Sequence, residues 1–322
     1  MSAYGKNNHR KPTVVAICGG VGGAKLALGL DRLLGADLTI IVNTGDDFEH
    51  LGLHISPDID TVMYTLAGLS DQERGWGRAD ETWNFMASLE QIGGAPWFRL
   101  GDRDLAMHIE RTRALRGGAS LTDFTTSVAR TLGIASAILP MSDDRVETVV
   151  DTDVGQLPFQ EYFVRLQCKP RIRQLSFRNA EHAVANPSAL KALSDPALTA
   201  VIICPSNPFL SIDPILAVPG IRSALNQVSA PIIAVSPLIA GQAVKGPTAK
   251  IMSELGVPAD SVSIAQHYEF LNGLVIDNAD QNDASRIAVR THVTPTLMKS
   301  IEDRDRLAAA CMDFVSALAS EA

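Results

Sequence analysis

A short β-branched run, Thr13 to Cys18, empties into Cys18-Gly19-Gly20-Val21-Gly22-Gly23-Ala24-Lys25, four glycines in five positions. Leu26, Leu30, Leu33 and Leu34 then recur at helical spacing, and Asp37 to Val42 repeats the strand pattern. This β-α-β opening restricts the chain to folds in which a parallel strand feeds a helix through a bare backbone turn. Glycine tolerates the turn and leaves no Cβ in the way, and a helix N-terminus adds unpaired N–H groups, so an anion can approach the amides. The spacing is neither G-x-G-x-x-G, because Lys25 stands where the third glycine belongs, nor a Walker A loop, because Leu26 follows that lysine. Two readings remain, a phosphate cradle and an ordinary tight βα turn. Under the first, a Cβ at Gly20 or Gly22 pushes a diphosphate off the amides and leaves the fold intact.

Two more apolar runs, Leu198 to Cys204 and Pro231 to Val235, read as buried parallel strands, with a helical pattern from Asp213 to Asn226 between them. The expected fold is therefore α/β: a doubly wound, mostly parallel, Rossmann-like sheet in one nucleotide-binding domain over residues 12–322. A helical lobe is expected over 57–133 and a small β-meander insertion over 140–185. In the lobe, Ser56 and Pro57 start a helix through about Leu69, Asp80 caps a second that stops at Gly93 and Gly94, and Ser120-x-x-Asp123 is a capping box. Leu307, Cys311, Phe314 and Leu318 mark an amphipathic C-terminal helix. Met1 to Lys11 reads as a frayed polar tail. No run approaches the roughly 18 apolar residues of a membrane span. The net charge of −8 excludes a nucleic-acid or anionic-membrane surface, so a site for a phosphorylated ligand has to be locally positive or metal-filled. Four scattered cysteines without a C-x-x-C pair fit a reducing cytoplasm.

Four carboxylates follow the second strand, in Asn43-Thr44-Gly45-Asp46-Asp47 and Ser56-Pro57-Asp58-Ile59-Asp60. Mg²⁺ takes one or two carboxylates and completes its shell with phosphate and water, so this cluster suits a metal facing a diphosphate; the plainer reading is a solvated loop and first-turn helix charges. His50 and His54 lack the H-E-x-x-H pattern of a zinc site. Trp76 and Trp83 are candidates to stack on a flat heterocycle or to fill core. Arg99 is a candidate anion or carbonyl donor, while Asp102 and Asp104 are expected to cap the helix after them. Ser206-Asn207 and Ser236 end the third and fourth strand-like runs, where loops open on one crevice.

The blocks Gly19-Gly20-Val21-Gly22-Gly23-Ala24-Lys25, Asn43-Thr44-Gly45-Asp46-Asp47, Ser56-Pro57-Asp58-Ile59-Asp60-Thr61, Gly75-Trp76-Gly77 and Glu81-Thr82-Trp83-Asn84 come in a fixed order. After them come Leu100-Gly101-Asp102-Arg103-Asp104, Leu139-Pro140-Met141-Ser142-Asp143-Asp144, Pro205-Ser206-Asn207-Pro208 and Ser236-Pro237-Leu238-Ile239. Together they resemble the 2-phospho-lactate transferase family, called CofD in archaea and FbiA in mycobacteria, which assembles the phosphodiester of coenzyme F420. The resemblance implies that the ribityl hydroxyl of the deazaflavin Fo attacks the phosphorus of a phosphorylated three-carbon acid carried on guanosine diphosphate, and that GMP leaves. It implies that Asp46 and Asp60 hold Mg²⁺ as the catalytic carboxylates, with Asp47 the weaker candidate. Asp60, Arg99 and Trp76 would orient the deazaflavin. Gly19, Gly20, Gly22, Lys25, Ser206, Asn207 and Ser236 would hold the nucleotide. It also implies a homodimer. Phosphoryl-type transfer needs positioning and charge neutralisation, so no phospho-enzyme is expected.

A related family of regulatory nucleotide-sugar binding proteins shares the glycine loop and acidic pair, but follows the pair with Gly-Gly-Ser where Phe48-Glu49-His50 stands here. An NAD-dependent oxidoreductase needs an acidic residue at the tip of the second strand, a place taken by Asn43. The choice among phospholactate, phosphoenolpyruvate and phosphoglycerate is not legible in the residues.

Overall fold

The computed structural model describes residues 12–321; the Met1 to Lys11 tail lies outside them. Seven strands form one parallel sheet: β1 (Thr13–Cys18), β2 (Leu38–Val42), β3 (Ala137–Pro140), β4 (Leu198–Ile203), β5 (Ile232–Val235), β6 (Gly273–Ile276) and β7 (Arg290–Val293). Their spatial order is β7-β6-β5-β4-β1-β2-β3, every neighbouring pair parallel. From β1 the chain winds outward to β2 and β3, then returns to lay β4 on the other side of β1. The strand order therefore reverses between β1 and β4, the position at which open α/β sheets generally form their ligand crevice beyond the carboxyl ends of the strands.

Both sheet faces are covered. On one, Val14, Ala16 and Cys18 of β1 pack against Leu26, Ala27 and Leu30 of helix α1 (Gly20–Leu34) and against Leu307 and Cys311 of the C-terminal helix Ile301–Glu321. On the other, Val15 and Ile17 meet Phe209, Leu210 and Ile215. The expected helix from Asp213 to Asn226 is broken into Asp213–Leu216 and Pro219–Leu225, because Pro219 has no N–H to continue the first piece. A three-stranded antiparallel sheet follows β3 and covers residues 147–158 and 172–178; its first strand, Glu147–Thr152, lies between the other two, so it is not the expected meander.

The helices after β2 are α2 (Pro57–Leu66), α3 (Asn84–Gln91), α4 (Asp104–Arg116) and α5 (Leu121–Thr131). Ile59, Val62 and Met63 of α2, with Leu121 and Ala129 of α5, share the core of α1, so these two helices belong to the sheet's own layer. Ile55, Met86, Leu100 and Leu105 make a separate apolar cluster, with Phe48, Leu53, Trp83, Phe85, Leu89 and Phe98 packed against it.

The helix caps differ from those read in the sequence. Ser120 does accept from the Asp123 amide (2.9 Å). Among the described residues Asp80 caps no helix; Trp83 precedes α3, and the Asp102 carboxylate accepts from the Asn84 and Phe85 amides (both 3.0 Å). Glu81 in turn accepts from the Arg103 and Asp104 amides (2.7 and 2.8 Å). Each acid caps the other's helix, a reciprocal clasp that local sequence spacing does not reveal. Among the described residues no helix is long and apolar enough to cross a membrane.

Candidate active site

The glycine loop sits at the strand-order reversal and is packed tightly there. Gly20 has φ +65, which favours glycine, and a Cβ on Gly22 would overlap the Pro205 carbonyl oxygen of the loop after β4. Gly22 is thus required by packing between two loops of the protein, a correction to the expectation that its bareness serves only a bound diphosphate. The loop's amides are also engaged internally. Gly19 N–H donates to Ser206 Oγ (3.1 Å), and Gly20 N–H donates to Asp58 Oδ1 (2.7 Å).

Asp58 is held from a second side, since Asn43 Nδ2 donates to its Oδ2 (2.9 Å). Asp46 and Asp47 complete a buried carboxylate group at the end of β2. Burial, then the charges of Asp58 and Asp47, push the Asp46 carboxyl well above the usual range, and burial raises Asp58 to about 6. Burial also raises Asp47, against the pull of His54 Nε2 at 3.2 Å and of Ser56, whose hydroxyl donates to it at 2.6 Å. Ser56 therefore serves Asp47 and not the N-terminus of α2. One oxygen each of Asp46 and Asp47 is buried with no hydrogen-bond partner among the described residues.

Asp60 faces elsewhere. Helix residues two apart point about 200° apart. Its carboxylate forms a two-pronged pair with Arg111 of α4, through Oδ1 to Nη2 and through Oδ2 to Nη1 (3.1 Å), and Arg111 is 0% exposed. His108 Nδ1 lies 3.8 Å from Asp60, and His108 Nε2 lies 3.1 Å from Asp104, which accepts from the Tyr64 hydroxyl (2.5 Å). The expected metal pair of Asp46 and Asp60 is not the cluster assembled in this structure. Asp58 takes the place beside Asp46, and a guanidinium already neutralises Asp60. Asp104 likewise belongs to this buried network and is not a free cap.

A mostly parallel sheet with a glycine loop and buried acids at its reversal point is shared by many nucleotide-binding proteins, so relatives decide the family. A family model described as 2-phospho-L-lactate transferase CofD matches residues 14–312. The chain belongs to the CofD family. A phosphoenolpyruvate transferase of Kitasatospora aureofaciens is 40% identical over 303 residues, 90% of this chain and 93% of the relative. One of Streptomyces coelicolor is 37% identical over 92% of this chain and 95% of its own length, and one of Mycobacterium ulcerans is 40% identical over 90% and 94%. Membership makes the chain a transferase. A crystal structure of a UPF0052 family member from Bacillus halodurans superposes with a TM-score of 0.62 over 94% of this chain and 99% of that one; at 15% identity it speaks for the fold alone.

The remaining expected residues of this CofD-family chain fall into two groups. Trp76, 47% exposed, lies edge-on to Trp83 at 6.2 Å, and the Arg99 and Arg74 guanidinium groups lie 4.3 and 5.1 Å from the Trp83 ring centre. Trp76 and Arg99 thus share one exposed aromatic and cationic face of the lobe. Ser236 is buried and bonded to Ser261 (3.0 Å), whereas Asn207 turns its Oδ1 to the Phe209 and Leu210 amides and leaves Nδ2 without an acceptor among the described residues. Lys25 reaches away from the loop to the Met298 carbonyl (3.0 Å).

Two small cavities, of about 150 and 200 Å³, flank Asp47. The larger also borders Asp46 and is lined by Phe48, Trp97, Arg145 and Phe159. Arg111, Arg145 and Trp97 were missed by sequence reasoning. Arg145 follows the Asp143-Asp144 pair directly, a signal that was available; Arg111 lies mid-helix among other charged residues and had none.

Proposed function

We propose that this transferase moves a phosphorylated three-carbon acid, the enolpyruvyl form, from its guanosine diphosphate-linked donor to the ribityl hydroxyl of the deazaflavin Fo, releasing GMP, in coenzyme F420 biosynthesis. The observation that carries the reading is the buried group of Asp46, Asp47 and Asp58 beside the glycine loop, with its raised carboxyls and unpartnered oxygens. Such a group is costly unless a cation joins it. Its chemistry suits Mg²⁺, which binds through one or two carboxylates plus substrate phosphate; Asp46 and Asp47 carry the unpartnered oxygens that would hold it, whereas both oxygens of Asp58 are taken by Gly20 and Asn43. When bound there, Mg²⁺ supplies charge neutralisation for the diphosphate and for the negative charge that develops in transfer.

The chain's own residues supply position. Asn207 Nδ2 is a buried donor beside the crevice for a base or ribose edge. The Trp76, Trp83 and Arg99 face suits the flat deazaflavin, which stacks on aromatic and guanidinium planes. Direct attack by the acceptor hydroxyl needs no nucleophile from the protein. The enolpyruvyl donor is favoured because relatives at about 40% identity over nine-tenths of the chain are phosphoenolpyruvate transferases. The homodimer belongs to the same reading, and sedimentation would weigh it.

The deciding experiment offers Fo together with guanosine diphosphate-linked phosphoenolpyruvate, phospholactate or phosphoglycerate and follows GMP release and product mass. The expected product carries the enolpyruvyl group. GMP release from none of the three would sink the reading and leave a binding protein.

A further inference from the structure

Arg145 lies in the loop between β3 and the three-stranded sheet and borders both cavities beside Asp47. Among the described residues it is the only lysine or arginine in either wall, and it is paired with no carboxylate. The acids before it in sequence are already used. Asp143 accepts from the Thr122 amide and hydroxyl (both 2.8 Å), and Asp144 accepts from the Val184 amide (2.7 Å). The loop is pinned at both ends, where Met141 N–H donates to the Val42 carbonyl (2.9 Å) and Thr148 N–H to the Gly45 carbonyl (2.7 Å). Gln160 Nε2 ties the other side of the cavity to the same acidic turn through the Asp46 carbonyl (3.2 Å).

The larger cavity, about 200 Å³, falls below the roughly 300 Å³ at which pockets begin to enclose drug-sized ligands. It has room for a three-carbon acid and not for a guanosine or a deazaflavin. Phe48, Trp97 and Phe159 give it an apolar wall, and Phe159 is held by stacking on Phe163 at 5.3 Å. Asp46 and Asp47 border it with the oxygens left unpartnered. Of its other acids, Glu147 is paired with Arg178 (2.9 Å) and Glu161 with Arg165 (3.7 Å), which leaves the exposed Glu49. An anion enters so acidic a space only where positive charge meets it, from a cation on Asp46 and Asp47 or from Arg145. A bare phosphate answers to the first alone; a phosphorylated acid answers to both.

We propose that this cavity seats the three-carbon acid of the donor, with the Arg145 guanidinium paired to its carboxylate while its phosphorus stays beside Asp46 and Asp47. The planar fork of arginine matches a carboxylate through two parallel N–H bonds, which makes Arg145 the residue that selects an acid over an uncharged alcohol. The identity of the acid rests on the function proposed above.

The test is calorimetry on the full chain with Mg²⁺ present, titrating phosphoenolpyruvate, isopropyl phosphate and GDP into wild type, Arg145→Lys and Arg145→Gln. Isopropyl phosphate keeps the phosphate and the three carbons and lacks the carboxylate. The wild type should prefer phosphoenolpyruvate by about tenfold to a hundredfold, the size of one or two hydrogen bonds to a charged group. Arg145→Gln should erase that preference and Arg145→Lys keep part of it, with GDP affinity equal in all three proteins. Arg145 is exposed, so its replacement leaves the core in place. A wild type without the preference, a preference that survives Arg145→Gln, or an equal loss of GDP affinity would overturn the seat. Turnover separates the seat from the functional reading. With the linked phosphoenolpyruvate donor, Arg145→Gln should raise the Michaelis constant for the donor and leave that for Fo unchanged. GMP release with a wild-type donor constant removes the seat and keeps the reading. An Arg145-dependent preference in a protein that never releases GMP keeps the seat and removes the reading.

Discussion

Asp58 and Asp60, two residues apart in the first turn of α2, serve opposite sides of the helix: Asp58 caps the start of α1 beside Asp46, while Asp60 is locked onto Arg111 of α4. The acid that the sequence pattern nominates for the metal is thus the one already neutralised, and the acid next to it is the one left among like charges.

Removing the charge of Asp60 strands a fully buried guanidinium. Asp60→Asn should destabilise the protein by about 3–5 kcal/mol, as breaking a buried ion pair generally does. Urea unfolding of Asp60→Asn, Arg111→Leu and the double variant would check it. The double variant should lose much less than the sum of the two single changes; strict additivity would mean that the pair is not energetically coupled.

Asp46→Asn should have the contrary effect on the apo protein. It relieves repulsion from Asp58 and Asp47, so stability near neutral pH should hold or rise. Mg²⁺ affinity and turnover should fall, the latter by roughly two orders of magnitude if the cation supplies a few kcal/mol at about 1.4 kcal/mol per tenfold. A variant with unchanged Mg²⁺ titration and normal turnover would remove Asp46 from the metal site.

The same cluster sets a pH dependence. The folded state raises Asp58 from 3.8 to about 6, so it binds that proton more tightly than the unfolded chain does. Asp58's contribution to stability is full below about pH 4, declines as pH rises to about 6 and is flat above, and Asp46 acts in the same direction. A divalent cation binds the deprotonated forms. The Mg²⁺-induced rise in Tm should therefore be small near pH 5 and large near pH 7.5. Equal shifts at the two pH values, measured by scanning fluorimetry, would argue against a carboxylate-held cation.

Gly22→Val should damage the fold as well as nucleotide binding, because its side chain collides with the Pro205 carbonyl. Overpacking of this kind typically costs about 1–3 kcal/mol. Wild-type melting of the apo variant would mean that the two loops can part, and would return Gly22 to the role of a pure phosphate cradle.

Arg99→Ala and Trp76→Ala should each raise the Michaelis constant for the deazaflavin and spare GDP affinity, since both residues belong to the Trp83 face of the lobe and neither contacts the glycine loop. Losing one stacking or cation–π contact corresponds to roughly a fewfold to tenfold change. A loss of GDP affinity instead would exchange the halves of the crevice assigned to the two substrates.

What the sequence determined alone follows from short-range physics. Apolar β-branched runs, a glycine loop and leucines at helical spacing specify β1, α1 and β2 through local sterics and periodicity, and right-handed crossovers then dictate a parallel sheet whose strand-end loops share one edge. Blocks of residues in order carried the family, which the match over residues 14–312 shows. The partner of each charged side chain was decided only by the tertiary structure. Asp58 and Asp60 occupy equivalent first-turn positions in one dimension. What divides them is helical rotation, the arrival of Gly20 and Asn43 on one side and of Arg111, 51 residues away, on the other. The reciprocal caps of Glu81 and Asp102 and the contact of Gly22 with Pro205 share this origin. Each depends on chain segments distant in sequence meeting at a few ångströms, and no local preference of either segment encodes that meeting.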